Sequence, residues 1–268
     1  LAGYTRRSNK GVHILNISLD KPEMDGLNSK DTIGSGPDKR EEISYMSLVD
    51  SDVRDHSRLL LNIEDPSYMA LDADKLFVLS SRDEGGVKAY NFDRNREGLR
   101  PIGGVDMLGK APCHLYFDRD KSLIYASNYH LGRLDILFLN EDGLSLAGSI
   151  CLEGRGPISP NQDGPRCHMA IKDPSDRFTL VVNLGGDRVE TYYIDTEGYD
   201  LVSSYHTRPG MGPRHMVFGP GGRHVYLMGE LDSTVEVLAY DNAKGTLRSI
   251  SRVSSLPEGS ESFTGNSG

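Results

Sequence analysis

With 268 residues, 30 basic and 39 acidic side chains, the chain carries a formal charge of −9, which disfavours a polyanion such as nucleic acid as its main partner. It has no run of roughly 18 apolar residues and no charged-then-apolar leader, so no membrane partner and a cytoplasmic setting are expected. Trp is absent, and 30 Gly and 13 Pro punctuate short Val/Ile/Leu/Tyr runs, which favours an all-β chain.

The chain begins at Leu1 without a Met, so residues are expected upstream. The first segment, "GYTRRSNKGVHILNISLD", predicts two or three strands of one blade, with Val12, Ile14 and Ile17 as apolar positions. Lys21 to Arg40 is polar and rich in Gly, Asp and Lys, and reads as an exposed insertion within a single domain. Four related segments follow, starting at Asp65, Ala111, Gly164 and Gly212. The last shows the unit most plainly. Strands are predicted at His215–Phe218, His224–Met228, Thr234–Tyr240 and Leu247–Val253, separated by Gly-, Pro- and Asp-rich turns. Ser254 to Gly268 is expected to start a further blade.

A period near fifty residues with four strands per unit is the signature of a β-propeller of four-stranded antiparallel blades. About five to six blades are represented, too few for a comfortable ring, so an open edge with an exposed blade face is expected. The alignment puts His114, His168 and His215 at one repeat position, 54 and then 47 residues apart, with Tyr68 there in the weakest copy. In a meander the start of the first strand lies beside the end of the second. Arg214 and His215 therefore belong beside the turn carrying Glu230, His168 beside Asn183, and His114 beside Asn128. Because first strands line the channel, these side chains are expected to converge on one of its mouths.

Each position also has a plainer reading. Arg214 can serve as an ion-pair partner in a turn, His168 can bond backbone at a blade edge, and His215 can be a packing residue. Asn128 and Asn183 can simply satisfy turn backbone. Gly185 and Gly186 read as hairpin residues, since no helix follows to make a phosphate loop. No metal is expected: the histidines sit on separate blades without tight local spacing, and no calcium loop occurs. Cys113, Cys151 and Cys167 lack CxxC spacing and read as reduced thiols.

Five ordered motifs, "YTRRSNKGV", "APCHL…SNYHLGRLDI", "PRCHM…VNLGGDRVETY", "GPRHMVF…GELDSTVEVLAY" and "SSLPE", are similar to those of the seven-bladed lactonase propeller family. That family includes the cycloisomerase-type 6-phosphogluconolactonases and the fungal carboxymuconate cyclases. The resemblance implies seven blades and a catalytic group of His168, Arg214 and Glu230. The family pattern has Asn where this chain has Gly229 and a further His where it has Arg166. Members extend further at the C-terminus, through an Asn-Arg turn, so the sequence is expected to be a fragment or to lack two blades.

The resemblance implies a lactone hydrolase acting on a sugar-acid lactone, above all 6-phosphogluconolactone, as its small-molecule partner and without a cofactor. Arg214 would stabilise the carbonyl oxygen or anchor the substrate anion, and Glu230 or His168 would act as general base or acid. A base titrating near neutrality favours His168. His114, Asn128, Asn183 and His215 are the expected substrate contacts. A lactonising cyclase and a non-catalytic binding propeller are the alternatives.

Overall fold

The computed structural model describes residues 12–15, 57–61, 66–72, 74–80, 85–93, 98–106 and 109–259. The described residues form strands and turns, without a helix. Strand β1 (Val12–Leu15) pairs antiparallel with β2 (Ser57–Leu61). The N-terminal segment thus contributes one described strand, whose partner lies beyond the expected insertion. Lys21 to Arg40 falls outside the described residues.

Four four-stranded antiparallel meanders follow, one for each repeat. The first contains β3 (Pro66–Asp72), β4 (Lys75–Ser80), β5 (Gly86–Asp93) and β6 (Gly98–Asp106). The second contains β7 (His114–Asp118), β8 (Leu123–Asn128), β9 (Arg133–Asn140) and β10 (Gly143–Cys151). The third contains β11 (Cys167–Lys172), β12 (Thr179–Asn183), β13 (Arg188–Ile194) and β14 (Tyr199–His206). The fourth contains β15 (Pro213–Phe218), β16 (His224–Gly229), β17 (Thr234–Asp241) and β18 (Thr246–Ser254). Ser254, expected to open a further blade, instead closes this one, and the described residues beyond it are bends and turns.

The blades stack face to face, which explains why their middle strands are apolar on both sides. In β8, Leu123 and Tyr125 pack toward the third blade with Val181 and Tyr192, while Ile124 and Ala126 pack toward the first with Phe77 and Leu79. In the third cluster Leu180 and Val182 meet Val225 and Leu227 of the fourth blade. Successive side chains of a strand point to opposite faces, so a strand between two blades buries every residue. The outer strands β14 and β18 are mostly exposed and correspondingly polar.

One buried ion pair joins the second and third blades. Lys172 Nζ lies 3.0 Å from Asp118 Oδ2, with both side chains 3% exposed, and Tyr125 donates to the same oxygen at 3.1 Å. On the fourth blade the face turned away from the third exposes Val217, Tyr226 and Val253 at 60%, 41% and 56%.

The inner strands β3, β7, β11 and β15 are neighbours around the channel. Three of them carry a register irregularity near the same end, at Pro66/Tyr68, Cys167/Met169 and Pro213/His215. A bulge inserts one residue without a direct partner and re-aims its side chain. The inserted residues are Ser67, His168 and Arg214. This corrects the repeat alignment: His168 shares its place with Arg214, while the place of His114 and His215 is taken in the third blade by Met169.

Candidate active site

The bulged ends of the inner strands open onto a cavity of about 680 Å³, with Tyr68, Lys110, Tyr129, His168, Arg214, His215 and Glu230 in its wall. Each comes from an inner strand, from the segment leading into one, or from the turn after a second strand. That turn lies at the mouth because the second strand runs antiparallel to the first.

Arg214 and Glu230 meet directly. The Arg214 Nη1 donates to Glu230 Oε2, and the side chains are 28% and 7% exposed. The Glu230 backbone N–H donates to the Gly212 carbonyl at 2.9 Å, which ties the turn to the segment entering β15. The predicted neighbourhood of a first-strand cation and a second-turn carboxylate is therefore realised as an ion pair.

The histidines converge despite their offset in register. The His168 and His215 rings meet edge to face with centroids 5.0 Å apart, and His114 lies 6.2 Å from His215. His114 is only 3% exposed and packs at a tilt against Tyr68, with ring centroids 4.8 Å apart, so its ring stands behind the cavity wall. Burial, followed by the nearby His215, lowers its pKa from 6.5 to about 3. Burial also lowers His168 to about 3, with the Arg214 charge next and His215 after it. His215 is lowered as well, by burial and then by Arg214, against an opposing contribution from Glu230. His114 and His168 are therefore neutral at pH 7, and burial shifts His215 in the same direction. His168 thus titrates well below neutrality, because burial, and after it the Arg214 charge, oppose its protonation.

Asn128 and Asn183 are fully buried. Asn128 donates to the Lys110 carbonyl at 2.7 Å and accepts from the Leu131 N–H at 3.2 Å. Asn183 donates to the Glu153 carbonyl at 2.9 Å and accepts from the N–H groups of Arg166 and Gly186 at 3.1 and 3.0 Å. Their amides shape the turns that carry Tyr129 and the loops around the mouth, in line with the plainer reading of these positions; neither is among the cavity-lining residues.

Other side chains at the mouth escaped the sequence reading. Tyr129 stands edge-on to His168 at 5.8 Å, and the Arg166 guanidinium lies 5.4 Å from the Tyr129 ring centre. Lys110 stands exposed at the rim. Tyr129 follows β8 as Glu230 follows β16, and that equivalence was the available signal. Cys113 also lines the cavity, but its thiol donates to the His168 carbonyl at 3.4 Å, and burial pushes its pKa up to about 12. It is an inert support of the His168 backbone rather than a nucleophile. Among the described residues, no cluster of three or more His, Cys, Asp or Glu is arranged to hold a metal ion.

The wall thus combines neutral imidazoles and a phenol with a paired carboxylate and guanidinium, a setting suited to holding an anion and moving one proton. A family profile described as "Lactonase, 7-bladed beta-propeller" matches residues 31–268. The 6-phosphogluconolactonase of Bacillus subtilis is 31% identical over 215 residues, covering 78% of this chain and 60% of its own. A solved protein from Lactobacillus plantarum superposes with a TM-score of 0.69 at 32% identity, covering 75% of this chain and 59% of that one. A periplasmic gluconolactonase of Pseudomonas aeruginosa superposes with a TM-score of 0.68 at 25% identity, covering 75% and 60%. The chain spans about 60% of the length of these three proteins. Four blades in the described residues, a shared channel mouth and a profile running over most of the sequence agree: the chain belongs to the seven-bladed β-propeller lactonase family.

Proposed function

We propose that the protein hydrolyses a sugar-acid lactone, with 6-phosphogluconolactone as the favoured substrate and the cytoplasm as the setting. The observation that carries this reading is the Arg214–Glu230 pair in the cavity wall. An anionic lactone would draw Arg214 toward its own oxygens and loosen its hold on Glu230.

The carboxylate then accepts a proton from a water whose oxygen attacks the lactone carbonyl. Arg214 donates to the oxyanion that forms. Collapse of the intermediate breaks the ring C–O bond, and the proton held by Glu230 passes to the leaving oxygen, giving the open hydroxy acid. Glu230 suits this role better than His168. Burial, and after it the Arg214 charge, oppose the protonation of His168. His168, His215 and Tyr129 then orient the substrate. Lys110 at the rim and Arg166 beside Tyr129 favour a second anionic group such as a phosphate.

The names of the relatives frame the test, since one is a 6-phosphogluconolactonase and another a gluconolactonase. Specific activity should be compared on a 6-phosphorylated and an unphosphorylated aldonolactone. A preference of at least tenfold in kcat/KM for the phosphorylated substrate is expected, and Lys110→Ala should shrink it. Equal rates would overturn the phosphate assignment. Turnover confined to an unsaturated dicarboxylate would favour a lactonising cyclase, and binding without turnover a non-catalytic propeller.

A further inference from the structure

One carboxylate on the blade of His168 ties together three segments that lie behind the Arg214–Glu230 pair. Asp187 ends the turn between β12 and β13, 7% exposed and with a φ of +52°. The same turn position is Gly132 in the second blade and Ser233 in the fourth, also at positive φ. Glycine is the unstrained choice for this backbone, and Asp tolerates it because its short polar side chain can hydrogen-bond nearby.

Asp187 Oδ1 accepts from the Gln162 side-chain amide and from the Gly212 N–H, both at 2.8 Å, and Oδ2 accepts from the Gly210 N–H at 2.7 Å. Its carbonyl oxygen accepts from the Thr207 N–H at 3.0 Å. Gln162 is fully buried and closes its own loop, with its carbonyl accepting from the Gly156 N–H at 3.1 Å. The carboxylate therefore ties the loop between β10 and β11 to the segment that enters β15.

The opposite side of that segment holds the site. The Gly212 carbonyl accepts from the Glu230 N–H at 2.9 Å, and the Met211 carbonyl accepts from the Leu231 N–H at 3.1 Å. Gly212 has a φ of +58°, and a Cβ there would come within 2.5 Å of Leu231 Cγ. The peptide is thus clamped between Asp187 and the Glu230 turn, two residues before Arg214. We propose that Asp187 is the positioning residue of the Arg214–Glu230 pair, acting through the Gly210–Gly212 backbone.

This assignment rests on the lactonase reading of the mouth, and its test separates the two. Asp187→Ala and Asp187→Asn are made in the full chain, alone and combined with Arg214→Ala. Asn retains one acceptor oxygen and puts an N–H₂ against a backbone donor, so it serves if Ala fails to fold. Amide exchange at Gly210, Gly212 and Glu230 should speed up at least tenfold while β16 and β17 keep their protection. On a lactone substrate, kcat/KM should fall at least tenfold in the native background and less than twofold further in the Arg214→Ala background. Unchanged exchange at those three amides, or the same fold-loss in both backgrounds, overturns the assignment. If Arg214→Ala by itself keeps full turnover, the lactonase reading of the mouth falls instead, and the exchange measurement alone decides the role of Asp187.

Discussion

His168 and His215, on adjacent inner strands, meet edge to face with centroids 5.0 Å apart and planes at 76°, and the Arg214 charge lowers the pKa of both. Substituting Arg214→Ala should therefore raise both values, since one cause of the lowering is removed while burial remains. Side-chain NMR titration of the histidines measures this directly. Unmoved values would mean that the guanidinium is not electrostatically engaged with these rings.

Stability should depend on pH through His114 and His168. Both titrate near 6.5 when unperturbed and at about 3 in the fold. Between these limits the unfolded chain binds more protons than the folded one, so stability falls as pH drops through that window. Their contribution is complete above about pH 6.5. Denaturant midpoints measured from pH 7.5 down to 4 should decline less steeply for His168→Gln than for the unsubstituted protein. Parallel declines would contradict the lowered pKa of His168.

Arg214→Ala and Glu230→Gln should each reduce lactone turnover at least tenfold, about 1.4 kcal/mol of barrier. Far-UV circular dichroism should show the blades intact. Full turnover in both folded variants would return the pair to a purely structural role and place the chemistry on other residues.

Between the second and third blades, Lys172→Met should destabilise the fold by about 3–5 kcal/mol, because it leaves Asp118 charged and buried without its cation. Adding Asp118→Asn should recover part of that loss. Urea midpoints provide the measurement, and a loss below about 1 kcal/mol would show that Asp118 is relieved by water or by Tyr125.

Much of this architecture was legible because blade formation is local. Alternating apolar residues and Gly-rich turns predicted all four strands of the Gly212 unit, each ending within two residues of its observed bounds. The antiparallel meander then required Arg214 to sit beside the Glu230 turn, and it does. The N-terminal blade resisted the same approach because β1 takes β2 as its partner across a long sequence separation, where no short-range pattern signals pairing.

By itself, then, the sequence determined the blade period, the apolar middle strands and the edge on which the polar residues gather, all consequences of strand alternation and short turns. Tertiary structure decided the rest. The bulges that give His168 and Arg214 equivalent places depend on how each strand pairs across its neighbour, which residue spacing does not reveal. The withdrawal of Asn128 and Asn183 into backbone contacts, the placing of Arg166 over Tyr129, and that of Asp187 against the Gly210–Gly212 backbone depend on distances between segments remote in sequence. The neutral state of the histidines was decided there too, because burial and the field of Arg214 exist only once the blades have closed around the rings.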